Sequence, residues 1–262
     1  MNTKVPVRVV LHGTAGRMGQ AVLRVAPDFV AVTIAAALVR RAGAAEGAML
    51  NPVFCDSLPS GLQADILLDF SRPEGFDVAL QLALDRNLAF VSGTTGLSST
   101  QYAALESASA VIPIVWSANF SLGVAMLHAL VKQTAQALPD WDCEIIEAHH
   151  RYKEDAPSGT ALSLGRTVAA ARGVTLDAAA SFGRKGQHCP RVGGEIGIHA
   201  VRGGDIAGEH QLIFVGEGER IEITHRAHNR DIFARGALEV AVWLRGRSPR
   251  LYSMEDVISS QI

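Results

Sequence analysis

Short apolar runs alternate with amphipathic stretches over residues 1–120. Residues 7–11, Val-Arg-Val-Val-Leu, form a β-branched run that stops at His12-Gly13 and reads as a buried strand. Residues 18–26 carry helical periodicity, and further strands are predicted at 30–39, 64–71, 88–92 and 112–116. Between them, Pro73 suits the first turn of a helix running to about Arg86, and another helix spans 99–108. Strand and helix in alternation predict an α/β region on a parallel, doubly wound sheet.

The pattern changes after residue 120. A long helix is predicted over 121–138, with Leu122, Ala125, Met126, Ala129 and Leu130 facing a core, and Pro139-Asp140 ends it. Residues 143–148 have strand character and 161–171 are helical. Residues 179–192 are polar and basic, with Arg184, Lys185, His188 and Arg191 among glycines, and read as a loop. Residues 196–201, 209–215 and 220–226 alternate apolar and polar, which predicts a second, α+β domain with a mostly antiparallel or mixed sheet. A broad sheet in so small a region needs a cover, so self-association through it is expected. A last helix, 232–245, turns Phe233, Ala237, Val240, Ala241 and Leu244 inward.

Composition narrows the class. The 262 residues are 48% hydrophobic and 19% charged, enough for packed cores and against disorder. A net charge of −2 gives no basic footprint for nucleic acid. Cys55, Cys143 and Cys189 are odd in number and widely spaced, without a CxxC pair. They are expected to be small buried hydrophobes in a reducing cytoplasm, not a disulfide framework or a thiolate zinc site. The longest apolar stretch, 29–39, is too short to span a bilayer, so a soluble cytoplasmic protein is expected.

The chemistry begins at Gly13-Thr14-Ala15-Gly16-Arg17-Met18-Gly19, between the first strand and helix. Glycines there let backbone N–H groups approach a pyrophosphate, and the helix N-terminus adds partial positive charge. The spacing is G-x-x-G-x-x-G, with Ala15 at the usual second glycine; tight packing alone is the alternative reading. The second strand ends in Leu38-Val39-Arg40-Arg41, without the carboxylate that bonds the ribose of NAD. Two guanidinium groups suit a phosphate, so NADPH is the expected cofactor, with NADH possible but weaker; solvated loop charges are the alternative. The loops Gly93-Thr94-Thr95 and Ser117-Ala118-Asn119-Phe120 follow strands and are placed to touch the nicotinamide half, or are ordinary turns.

The densest chemistry lies at 144–160. Strand alternation puts Glu147 and His149 on one face and His150 on the other. Ser158 is a good N-cap, and the N–H groups of Gly159 and Thr160 at that helix start make a seat for a carboxylate. With His149, His150 and Lys153 nearby, the arrangement suits a small anionic substrate and a proton donor. Beside a reduced nicotinamide, the natural reaction is hydride addition to a C=N or C=O bond, with protonation by His149 or Lys153. No metal is expected from Glu147, His149 and His150, because adjacent strand residues diverge and no third ligand has helical or turn spacing.

Residues 147–161, Glu-Ala-His-His-Arg-Tyr-Lys-Glu-Asp-Ala-Pro-Ser-Gly-Thr-Ala, resemble the signature of the 4-hydroxy-tetrahydrodipicolinate reductase (dihydrodipicolinate reductase) family of bacterial lysine biosynthesis. Gly13–Met18, residues 69–74, Gly93-Thr94-Thr95-Gly96, Ala118-Asn119-Phe120-Ser121, Ala207-Gly208-Glu209-His210 and Ile223-Thr224-His225 resemble further motifs in family order. The resemblance implies a homotetramer. It also implies a Rossmann-like dinucleotide domain of residues 1–120 and 230–262, and a substrate and oligomerisation domain of residues 121–229. It makes His149 a proton donor/acceptor and Lys153 a proton donor, and gives His150, Gly159 and Thr160 the substrate's carboxylates. The cofactor would lie on Gly13, Thr14, Ala15, Gly16, Arg17, Met18, Arg40, Gly93–Thr95 and Ser117–Phe120. Many relatives carry an acidic residue where Val39 stands and use both cofactors; its absence puts NADH use in doubt. Another nicotinamide-dependent enzyme acting on a small dicarboxylate is the second reading. A nucleotide-sensing regulator is the third, though the chain offers no DNA-binding element. Glu144, Glu147 and Glu154 receive no role.

Overall fold

A strand can be apolar on both faces only where both faces are covered, and β1 (Val7–His12) meets that condition: Val7, Val9, Val10 and Leu11 are all fully buried. The structure is a computed structural model that describes residues 5–39 and 53–260. The chain forms two units, residues 1–122 with 231–262, and residues 123–230.

In the first unit, β2 (Val32–Leu38), β3 (Val53–Cys55), β4 (Ile66–Asp69), β5 (Ala89–Ser92), β6 (Pro113–Trp116) and β12 (Arg250–Tyr252) join β1 in the order β12-β6-β5-β4-β1-β2-β3. Each pairing is parallel. The order reverses between β1 and β4, the switch point at which doubly wound sheets open a crevice at the carboxyl ends of their strands. On one face, Val9, Leu11 and Leu68 pack with α1 (Arg17–Val25), α7 (Asp231–Leu244) and α8 (Met254–Ser259). On the other, Val10, Leu67 and Phe90 pack with α2 (Pro73–Asp85) and α3 (Ser99–Ala108). The strands β3 and β12 have three residues each, too few to show a period of two, and neither is predicted from the pattern. Within α7, Phe233 is only half-buried, while Ala237, Val240, Ala241 and Leu244 are fully buried.

In the second unit, β7 (Asp142–His149), β8 (Ala180–Phe182), β9 (Ile196–Arg202), β10 (Glu209–Val215) and β11 (Arg220–Arg226) form a sheet ordered β11-β10-β7-β9-β8. The sheet is mixed: β11, β10 and β7 run antiparallel, while β7, β9 and β8 run parallel. A parallel pair needs a crossover, and α5 (Gly159–Ala171) supplies it after β7. The stretch 179–192, expected as a loop, contains β8 at its start. Residues 183–195 then hang on Glu144, whose carboxylate lies over Gly197 of β9 and accepts from Arg184 (2.8 Å), His199 (2.6 Å) and Arg191.

Two expectations are corrected. In α4 (Leu122–Ala137) the buried residues are Val124, Ala125, Leu127, Val131 and Ala135, so Ala125 faces the core as expected, whereas Leu130 is 42% exposed. The first half of α4 is apolar nearly all round, so its pattern does not fix which side faces the core. Of the cysteines only Cys143 is buried; Cys55 is intermediate and Cys189 exposed. Cys143 lies on the apolar face of β7, and burial pushes its thiol up to about 12.

Candidate active site

The glycine loop is built by close approach. Gly13 has φ +80°, and a Cβ there would stand 2.4 Å from the Phe70 carbonyl oxygen. A Cβ on Gly19 would stand 2.4 Å from the Gly13 carbonyl oxygen, so helix α1 can sit this close to the loop only without a side chain at 19. Gly16 is the N-cap of α1, and no side chain caps the helix or places an acid in its first turn. That is the arrangement an anion needs at a helix N-terminus. The predicted residues divide by task. Thr14 is buried and its Oγ1 donates to the Leu38 carbonyl at 2.7 Å, tying the loop to β2, while Ala15, Gly16 and Arg17 are exposed and Met18 is half-buried.

The other strand-end loops stand on the same carboxyl edge. Asp69, at the end of β4, is fully buried and accepts from His12 Nδ1 (2.8 Å), Ser92 Oγ (2.9 Å), Thr94 Oγ1 (2.7 Å) and Ser71 N (3.0 Å). Burial works against its charge most strongly, but the bonds from His12, Thr94 and Ser71 outweigh it and hold its carboxyl below the usual range. Gly93 makes room for the Phe70 ring, and Phe70 meets Phe120 edge-on at 5.7 Å. Trp116 Nε1 donates to the Thr94 carbonyl (2.9 Å), and Ser117 Oγ donates to the Asn119 carbonyl (2.8 Å). Thr94 and Phe120 therefore hold the loops from inside, while Thr95 and Ala118 are exposed. Arg40 lies outside the described residues.

In the second unit, sheet register gathers the chemistry on one face. His149 pairs with Arg202 across β7 and β9, and Glu147 pairs with His210 across β7 and β10. Glu147 is fully buried. Its carboxylate accepts from Arg202 Nη1 and Nη2 at 2.7 Å each, from His149 Nδ1 at 2.7 Å and from Ser158 N at 2.9 Å. Burial opposes its charge most strongly, yet Arg202, His149 and Ser158 outweigh it and keep Glu147 below the usual carboxylate range. His149 is pulled down from 6.5, first by burial, against the pull of Glu147 and helped by the charges of Lys153 and Arg202. His210 packs edge-on against His149 at 5.3 Å, takes part in a 3.2 Å bond between its Nε2 and Ser158 Oγ, and is lowered by burial to about 4.

The predicted substrate residues sit together between β7 and α5. His150 Nε2 accepts from Arg230 Nη2 at 2.9 Å, and Lys153 Nζ donates to Asp155 Oδ1 at 2.6 Å. Ser158 caps α5, its Oγ accepting from Ala161 N (3.2 Å). Gly159 and Thr160 form the first turn, and a Cβ on Gly159, which is exposed, would meet no heavy atom within 4 Å, so the turn is open on that side. Glu147 and Arg202 received no role from sequence. Alternation already put Glu147 beside His149, but Arg202, 55 residues from Glu147, needs the strand register. Glu147 is committed to these partners, and among the described residues no group of three or more His, Cys, Asp or Glu side chains is arranged to hold a metal ion. Nor, among the described residues, is any helix long and apolar enough to cross a membrane.

Comparison with known proteins follows the same division. The sequence profile for dihydrodipicolinate reductase, N-terminus, matches residues 7–120, and that for dihydrodipicolinate reductase, C-terminus, matches residues 123–258. The 4-hydroxy-tetrahydrodipicolinate reductase of Stenotrophomonas maltophilia is 50% identical over 255 residues, which cover 97% of this chain and 98% of that protein. The enzyme of the same name from Xanthomonas campestris pv. campestris is 46% identical over 257 residues, 98% of this chain and 99% of that one. Among solved structures, a dipicolinate-bound dihydrodipicolinate reductase from Paenisporosarcina sp. shares the fold, with a TM-score of 0.78 at 24% identity over 96% of this chain and 99% of that one. Matched along both units and sharing half its residues with a reductase of nearly equal length, the chain belongs to the dihydrodipicolinate reductase family.

Proposed function

We propose that this member of the oxidoreductase family reduces 4-hydroxy-tetrahydrodipicolinate to tetrahydrodipicolinate, with loss of water, in lysine and diaminopimelate biosynthesis. The observation that carries this reading is the connection from β7 to α5, where two histidines, a lysine and an open, serine-capped helix start lie within twelve residues of sequence, 149–160. An anionic substrate needs cations and N–H groups, and the reduction needs a proton; that connection offers both. His150 and the first turn of α5, at Gly159 and Thr160, grip the carboxylates. His149 and Lys153 handle protons, the first accepting and returning one, the second donating. Residues 123–230 are thus the substrate unit, and residues 1–122 with 231–262 the cofactor unit.

The bare N-terminus of α1 and the glycine cradle suit a dinucleotide: Gly13, Gly16 and Gly19 leave the space that side chains would fill. When bound, a reduced nicotinamide supplies the hydride. Backbone from Gly13 to Met18 would hold the pyrophosphate, and Gly93–Thr95 with Ser117–Phe120 the nicotinamide half. NADPH is preferred, because Val39 brings no carboxylate to the ribose and Arg40 and Arg41 follow it. The reaction takes place in the cytoplasm, in keeping with three free cysteines.

The test is cofactor oxidation in a coupled assay that makes the unstable substrate from pyruvate and aspartate semialdehyde. Oxidation of NADPH with a higher kcat/KM than NADH, and loss of that difference in Arg40→Ala, are the expected results. Folded protein that oxidises neither cofactor defeats the reading; equal use of both defeats only the preference.

A further inference from the structure

The reductase reading gives no task to a carboxylate, yet in the substrate unit Glu147 is fully buried and accepts four hydrogen bonds. Its surroundings on β7, β9 and α5 are those of an anion kept charged where water does not reach. Two parallel bonds from Arg202 neutralise it, and Ser158 N fills a further lone pair. The remaining bond goes to His149 Nδ1. A carboxylate only accepts, so Nδ1 carries the hydrogen, and in the neutral ring Nε2 carries the lone pair. That free nitrogen faces Gly208: a Cβ there would stand 3.1 Å from Nε2, and the position holds φ +154°. Gly208 thus brings no side chain against Nε2, the ring nitrogen to which, among the described residues, no hydrogen bond is assigned.

We propose that Glu147, clamped by Arg202, is the positioning residue that fixes His149 with its hydrogen on Nδ1 and leaves Nε2 as the nitrogen that exchanges a proton with substrate. The inference rests on the reductase reading for its last clause. The charged and titratable groups around His149 are Glu147 on the same strand, Lys153 with its partner Asp155 on the following connection, Arg202 on β9, and His210 on β10 with His225 opposite it on β11. Of these only Glu147 bonds the His149 ring. In this arrangement His149 rests neutral, takes a proton on Nε2 and returns it, and the two bonds from Arg202 keep Glu147 from taking that proton itself.

The tautomer is read directly by nitrogen-15 correlation spectroscopy on the full-length protein. A protonated Nδ1 and an unprotonated Nε2 on His149 at neutral pH are expected; a hydrogen on Nε2 overturns the proposal. Glu147→Gln supplies the second readout. An amide can turn its N–H toward Nδ1 and so move the hydrogen to Nε2, as the wrong-tautomer variant of a Ser-His-Asp triad does. We expect kcat to fall at least about 10-fold with KM within about twofold. Unchanged kcat in a folded variant overturns the proposal. Should that variant not fold, the tautomer of the parent protein still decides. A parent with the predicted tautomer but no turnover defeats the reductase reading and leaves the positioning role of Glu147 standing.

Discussion

Single residues carry opposite electrostatic assignments within a few ångströms. His210 is held near 4 by burial, whereas an unfolded histidine titrates near 6.5. Below pH 6.5 an unfolded chain takes up a proton that folded His210 refuses. Stability therefore falls as pH drops from about 6.5 to about 4, by on the order of 3 kcal/mol from this residue, and this loss levels off below that range. His149 and His225, also held down by burial, act in the same direction. Denaturant titrations across this range should show a shallower slope in His210→Gln than in the parent. At Lys153 the expectation is catalytic. Lys153→Ala should remove most turnover while NADPH affinity, measured by fluorescence titration, stays within about twofold; a parallel loss of affinity would mean that the assigned role is wrong. The candidate site was legible in part. Residue types and strand alternation gave His149, His150, Lys153 and the serine cap. The clamp on Glu147 was not, because it depends on how β9 registers against β7, and no local pattern encodes that pairing.

At the scale of elements, the turn between β1 and α1 is tightly constrained. Gly13→Ala would put a Cβ 2.4 Å from a backbone oxygen at positive φ. A stability loss of about 1–3 kcal/mol is expected, together with at least about 10-fold weaker NADPH binding, checked by thermal melts with and without cofactor. An unchanged melting temperature would show that the loop relaxes freely. The long elements were readable from period: α3, β10 and β11 run over the residues the pattern predicts. The misses have physical causes. Three-residue β3 and β12 are too short to display alternation. Helix α4 is apolar on too many sides to reveal which one is buried. Parallel pairing of β8 and β9 follows from a crossover, not from the strands' own residues.

For the whole molecule, the sheet of the second unit bears on assembly. Val201 and Val215, on the face turned away from α5, are 47% and 37% exposed. A homotetramer built on this face is the expected state; sedimentation should give one species of four chains, and Val201→Asp with Val215→Asp should lower that mass. A single-chain mass for the parent would remove the proposal. The return of the chain through α7 has a different consequence, one of timing. Ala237, Leu238, Val240 and Ala241 cover the same sheet face as β1 and β4, yet they are synthesised after residues 123–230. On a ribosome, the first strands must wait with one face covered only by α1 while the contiguous second unit is free to fold ahead of them. Chains halted after residue 230 should then protect the amides of β7, β9 and β10 from hydrogen exchange well before those of β1 and β4.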